Sequence, residues 1–168
     1  MEGIVIRRIR EEDAQAYLNL CLAIDEETEF LLLEPEERSK DVEYQRQRIK
    51  QLLTRDNQMI FVAEAASGLV GYLAVYGGGY RRSRHCGYVV AAMQESHYGR
   101  GIGTQLFLIM EQWARKAGLH RLELTVMVHN RGAVTLYQKM GFEVEGTKRD
   151  SLWVNGQYVD EFYMAKLL

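Results

Sequence analysis

Apolar and polar residues alternate from Ile4 to Ile9, the period-two pattern of a half-buried strand. The period then lengthens. Ala14, Tyr17, Leu18 and Cys21 share one face of a helix expected over Glu12–Ile24. An acidic connector follows, Asp25-Glu-Glu-Thr-Glu-Phe running on to Pro35-Glu-Glu. Ser39 has a side chain able to cap a second helix reaching about Leu53. From Met59 the strand period returns. Met59–Ala65 and Leu69–Tyr76 flank a Ser67-Gly68 turn, and Gly77 to Arg84 turn the chain into a strand at about His85–Met93. Beyond a glycine-punctuated loop, Ile102, Leu106, Ile109, Met110, Trp113 and Ala117 recur at helical spacing, and Gly118 suits the end of that helix. Leu122–Val128 reads as a strand and Asn130–Met140 as a shorter helix closed by Gly141. Phe142–Thr147 and Val159–Lys166 read as strands around an Asn155-Gly156 turn. The order β-α-α-β-β-β-α-β-α-β-β predicts a mixed α+β fold, with about seven mostly antiparallel strands and four helices.

Composition narrows the function classes. Apolar residues make up 47% and charged residues 26%, the balance of a globular protein, and neither a Gly/Ser-rich linker nor a repeat divides the chain. One domain over residues 1–168 is expected. The net charge of −2 gives no electrostatic footprint for nucleic acid, and Arg81-Arg82-Ser83-Arg84 reads as a solvated hairpin tip. Two isolated cysteines make no disulfide framework and fit a reducing compartment. His85, His97, His120 and His129 lack zinc-ligand spacing, so no metal is expected. The N-terminal stretch Met1–Arg8 is too short and charged for a signal peptide, and no apolar run reaches membrane-spanning length. These readings predict a cytoplasmic protein with no membrane or nucleic-acid partner.

The loop Tyr98-Gly99-Arg100-Gly101-Ile102-Gly103-Thr104 joins the fourth strand to the long helix. Glycines let consecutive N–H groups converge, and a helix N-terminus adds partial positive charge, so the loop suits an anion such as pyrophosphate. A plain strand-to-helix turn explains the same glycines. The loop lacks the Gly-Lys-Ser/Thr ending of a Walker-type loop. It also lacks the third glycine and the early position of a dinucleotide fingerprint. Further on, Asn130, Ala133, Val134 and Tyr137 share one helix face, with Leu136 and Met140 around the other side. On spacing alone, Tyr137 is either a core tyrosine or a site residue, and Asn130 a cap, a contact or both.

Together, Gly99-Arg-Gly-Ile-Gly-Thr-Gln-Leu and His129-Asn-Arg-Gly-Ala-Val-Thr-Leu-Tyr-Gln-Lys-Met-Gly-Phe resemble the GNAT-type N-acetyltransferase superfamily, over nearly the whole chain. The second motif is the more specific, with Asn130, Ala133, Leu136, Tyr137, Lys139, Gly141 and Phe142 in its pattern. Tyr98 departs from it, standing where a Gln or Arg usually opens the loop. The resemblance implies acetyl-CoA (coenzyme A) as donor, with acetyl transfer to a primary amine by direct attack in a ternary complex. The acceptors it covers are amino acids, polyamines and peptide or protein N-termini. It places the pantetheine arm between the fourth and fifth strands, near Val90–Met93 and Leu124–Val128. The cofactor-binding residues it implies are Ala91, Ala92, Met93, Tyr98, Gly99, Arg100, Gly101, Ile102, Gly103, Thr104, Asn130, Ala133 and Tyr137. The backbone amide of Met93 would polarise the thioester carbonyl, and Tyr137 would face the leaving sulfur. Glu26, Glu27, Glu29 and Phe30, with Asp25, would meet a cationic acceptor. His85, Glu95, His97 and the three glutamates are candidates for the general base, as is a water chain. A homodimer through the C-terminal strands is also within the superfamily's range. Two other classes fit the residues: a non-catalytic acyl-CoA sensor, and an interaction module that pairs through a sheet edge.

Overall fold

The computed structural model describes residues 3–168; Met1 and Glu2, at the head of the stretch read against a signal peptide, lie outside the described residues. The strands are β1 (Val5–Arg8), β2 (Met59–Ala65), β3 (Gly68–Gly77), β4 (Cys86–Met93), β5 (Arg121–Met127), β6 (Glu143–Val154) and β7 (Gln157–Leu167). The helices are α1 (Ala14–Glu27), α2 (Val42–Leu53), α3 (Ile102–Lys116) and α4 (Arg131–Lys139). Their order is the one the hydrophobic pattern predicts. The strands form one sheet in the order β1-β2-β3-β4-β5-β7-β6. Every neighbouring pair is antiparallel except β4 and β5, which α3 connects as a crossover.

Apolar clusters bury both faces of the sheet. On one face Phe107, Met110 and Trp113 of α3, with Tyr137 of α4 and Met140 just after it, pack on Phe61, Leu73, Leu122 and Leu124. On the other, Tyr17 and Ile24 of α1 and Ile49 of α2 cover Val62, Tyr72 and Ala74. Among the described residues no helix is long and apolar enough to cross a membrane.

Several boundaries differ from the sequence reading, each for a local reason. Ser39 is not the cap of α2. Asp41 is, accepting the Tyr44 N–H at 3.1 Å, while the Ser39 hydroxyl accepts the Asp41 N–H at 3.3 Å. Helix α1 runs on to Glu27, which puts Asp25, Glu26 and Glu27 on its last turn rather than in a connector. Both oxygens of buried Asp25 accept hydrogen bonds from Arg38, Nη2 to Oδ1 at 2.9 Å, and this offsets the acidic pile-up there. Strand β6 extends to Val154, beyond the expected Thr147, because an irregularity between Lys148 and Leu152 absorbs extra residues and lets pairing with β7 resume.

Candidate active site

Strands β4 and β5 pair over only three positions, Cys86–Tyr88 opposite Arg121–Glu123, and then part. Backbone direction decides what the gap contains. The Gln94 N–H donates to Val70 of β3, and the Gly78 N–H reaches the Cys86 carbonyl, so even-numbered residues of β4 turn their backbone groups toward β3. Alternation turns the N–H and C=O groups of Ala91 and Met93, and the C=O of Val89, the other way, into the fork. On β5, Val128 donates to Asp160 of the β7 side, so Thr125 and Met127 face the fork from the opposite edge. The result is a slot edged by unpaired peptide groups and walled by the small side chains of Ala91 and Ala92. Ala92 differs from its two neighbours: its backbone serves the β3 ladder, and its side chain packs against the α1–α2 cluster.

At the mouth of the fork stands the N-terminus of α3. Its first residue follows Gly101, which adopts φ +77°, and Gly99 adopts φ +73°, backbone that L side chains rarely enter. Asp41 and Asn130 cap α2 and α4 with side-chain oxygens, whereas no side chain caps α3. The amides of Ile102, Gly103 and Thr104 therefore lack the intrahelical partners that later residues have, and they add to the helix dipole. Gly103 marks where α3 and α4 touch; a Cβ there would lie 2.9 Å from Leu136 Cδ2. Ile102 contributes only backbone, since its side chain is buried in the core. Lys139 was not singled out as a ligand in the sequence, yet its Nζ lies 3.5 Å from Thr104 Oγ1 and brings a cation to the cradle. Arg100 is exposed beside it. Tyr98 is exposed as well, and its phenol is raised above its ordinary pKa by partial burial and by the charges of Glu95 and Glu27. That places Tyr98 toward the α1 end of the site rather than deep in the loop.

Tyr137, on α4, is buried in the same apolar cluster as Ala91 and Met93 of the β4 edge. Its ring packs between Phe107 and Phe142, with centroids 5.5 and 6.2 Å away. Burial pushes its pKa up to about 12, with Tyr88 adding to the shift. Asn130 caps α4 through the Ala133 N–H at 3.3 Å, which fixes the start of the helix that carries Tyr137.

On the opposite face, the end of α1, the segment after it and the β6–β7 hairpin enclose a cleft of about 510 Å³. Glu26, Glu27 and Glu29 line it, together with Glu34, Met127 and Trp153. Glu27 accepts the Glu95 N–H at 2.9 Å, tying α1 to the loop after β4. Glu29 is held by Asn155 of the hairpin and by His129 Nε2 at 3.3 Å, and Phe30 lies against the His129 ring at 5.1 Å. Asp25 also lines the cleft, with its carboxylate paired to Arg38. A second concavity, about 590 Å³, is lined by Arg149, Asp150 and Asp160, and none of the expected site residues reaches it.

One of the candidate bases is placed elsewhere. His85 sits before the first residue of β4, at the closed end of the fork, roughly 25 Å of strand from Met93. His97 is buried and bonded to Ser96 Oγ at 2.9 Å. Cys21 is buried with its thiol pushed up to about 11 by desolvation, which leaves it protonated and unreactive near neutrality.

The comparisons with known proteins bear on this arrangement. The sequence profile of the Acetyltransferase (GNAT) family matches residues 21–142, most of the chain. The chain belongs to the GNAT acetyltransferase family. It is 34% identical over 103 residues to the L-amino acid N-acetyltransferase AaaT of Escherichia coli, a match covering 59% of this chain and 62% of that protein. This chain thus spans less than two thirds of that relative's length. The crystal structure of a GNAT-family acetyltransferase from Streptococcus pneumoniae superposes with a TM-score of 0.95 and 27% identity, covering 99% of this chain and 100% of that one. The yncA protein of Salmonella typhimurium, solved with its cofactor acetyl-CoA, shares the GNAT fold at a TM-score of 0.87 and 18% identity, covering 98% and 94% of the two chains.

Proposed function

We propose that residues 1–168 form one N-acetyltransferase domain that transfers an acetyl group from acetyl-CoA to a cationic primary amine. The observation that carries this reading is the fork itself, a slot of unpaired peptide groups that opens at an anion-accepting helix end and is overlooked by Tyr137. The fit to coenzyme A rests on the uncapped α3 N-terminus, with Gly99 and Gly101 leaving open space where a Cβ would stand. Amides of Arg100–Thr104, with Lys139 beside them, would hold the pyrophosphate, and Ala91 and Met93 would hold the pantetheine end. Bound there, acetyl-CoA supplies an activated acyl group.

The chain's own residues supply the rest. The Met93 amide, aimed into the fork, is a fixed donor for oxygen charge that develops on attack. Tyr137 holds a proton at Oη against the position of the leaving sulfur. The carboxylates of Glu26 and Glu27 draw a charged amine into the cleft, where its proton passes to water. Glu29 shapes the wall with Asn155, while Phe30 lies outside the lining, against His129. The cleft's lining carries no Lys or Arg to meet a substrate carboxylate, which favours a polyamine or a basic peptide N-terminus over a free amino acid. The name of the Escherichia coli relative favours an amino acid instead. Two unpaired cysteines suit work in the cytoplasm. A homodimer would form along β6 and β7, where Val144, Trp153 and Tyr158 are exposed.

Free-thiol release from acetyl-CoA, measured across polyamines, basic peptides and amino acids, tests this reading. Amine-dependent release with a polyamine or peptide is expected. Release with neutral amino acids alone overturns the cationic-acceptor assignment. Tight binding with no release across the panel points to a sensor, and no binding at all to an interaction module. The cradle has its own test: Gly101→Val, which forces a β-branched residue to φ +77°, is expected to weaken coenzyme A binding about tenfold or more. Unchanged affinity by calorimetry removes the glycine loop from the site.

A further inference from the structure

One contact at the base of the fork has no part in the scheme above. Backbone pairing ends with Tyr88 opposite Glu123, yet the strands are tied once more by side chains, Tyr88 Oη to Thr125 Oγ1 at 2.7 Å. Thr125 is the next residue of β5 on the same face, so the Tyr88 ring lies diagonally across the point where the strands part. It covers that point from the α1–α2 face, and Tyr137 stands on the α3–α4 face. On the α3–α4 face the sheet behind the parting point is close-packed. A Cβ at Gly87 would lie 2.7 Å from Val75 Cγ1 and 3.1 Å from Leu119 Cδ1. Ahead of it, toward the mouth, the β4 edge carries the short side chains of Val90, Ala91 and Ala92, none of them fully buried.

A chain entering at the α3 N-terminus and following that edge ends against Tyr88. We infer that the Tyr88–Thr125 bridge is the end stop of the acyl channel, admitting an acetyl group and excluding acyl chains of four carbons or more. The inference rests on the acyl-CoA reading of the fork. It assigns these two residues the choice of donor rather than the chemistry.

Calorimetric titration of coenzyme A, acetyl-CoA and butyryl-CoA into the wild type, Tyr88→Ala and Thr125→Val proteins tests it without reference to turnover. The wild type is expected to bind acetyl-CoA more tightly than butyryl-CoA. Tyr88→Ala opens the stop, and the two further methylenes of butyryl-CoA then gain burial worth about tenfold in affinity. The acetyl-over-butyryl preference should fall by about that factor while coenzyme A itself binds as before. Thr125→Val keeps the shape and removes the bond, so a smaller shift in the same direction is expected, and it decides the matter should Tyr88→Ala not fold. Equal wild-type affinity for the two donors overturns the stop, as does a preference unchanged in the folded variants. A wild-type protein that binds none of the three overturns the donor reading, and the stop falls with it.

Discussion

Tyr137→Phe is expected to lower kcat about a hundredfold while leaving affinity for acetyl-CoA and thermal stability nearly unchanged. The variant keeps the ring, so the packing against Phe107 and Phe142 survives. What it loses is the hydroxyl, Oη with its proton. With the phenol pushed up to about 12, and a free thiol near 8.5, complete transfer to the leaving sulfur would be uphill by about 5 kcal/mol. The side chain therefore acts as a hydrogen-bond donor to developing negative charge and stays protonated through the cycle. The sign of the shift gives a second check. A phenol at its ordinary value would lose its proton above about pH 10, and the wild-type advantage over the variant would shrink there. Held near 12, it keeps the advantage flat to about pH 11. Rate profiles of both proteins between pH 7 and 11 make the comparison; equal kcat values remove Tyr137 from this role, and an advantage that fades at pH 10 shows a donor whose phenol is not raised.

The linkage to folding has the same direction. Burial raises Tyr137 above its unfolded value, so the stability it contributes is fully present below pH 10 and is lost as pH rises through its folded value near 12. Tyr17 and Tyr72, both buried against the other face of the sheet, are raised as well and lose stability in the same alkaline direction.

The parts of the site that the sequence made legible are those encoded locally. Positive φ at Gly99 and Gly101 is a demand that glycine announces by itself, and the seven-residue spacing of Asn130 and Tyr137 survives as a cap and a buried phenol on one short helix. The fork was implied only by the family resemblance and not by the residues themselves, because it is the end of a register rather than a motif. Tyr88 and Thr125 are 37 positions apart and meet only once α3 has carried the chain across. The cleft is harder still, since Glu29 and Asn155 are 126 positions apart. Ser39 and Asp41 are equally good caps by residue type, and only the observed path of the chain selects Asp41. His85 misleads through adjacency: it precedes the strand that bears the site but lies at that strand's other end.

Arg38→Ala is expected to destabilise the fold by about 3–5 kcal/mol, seen as a fall in the urea midpoint. Its partner Asp25 has no exposed side-chain surface, and both carboxylate oxygens are bonded to the guanidinium. Removing Arg38 alone leaves a buried carboxylate uncompensated; burying such a charge costs far more than the lost contact. Asp25→Leu combined with Arg38→Met removes both charges and is expected to return stability to within about 1 kcal/mol of the wild type. The pair also separates structure from recognition. Because Asp25 is already neutralised, the double variant should retain the wild-type acceptor preference, whereas Glu26→Gln with Glu27→Gln should weaken a cationic acceptor. If the double variant folds but loses that preference, the Asp25 charge reaches the acceptor after all. In that case Arg38 holds a recognition residue, and the acidic end of α1 works as one unit with the cleft it borders.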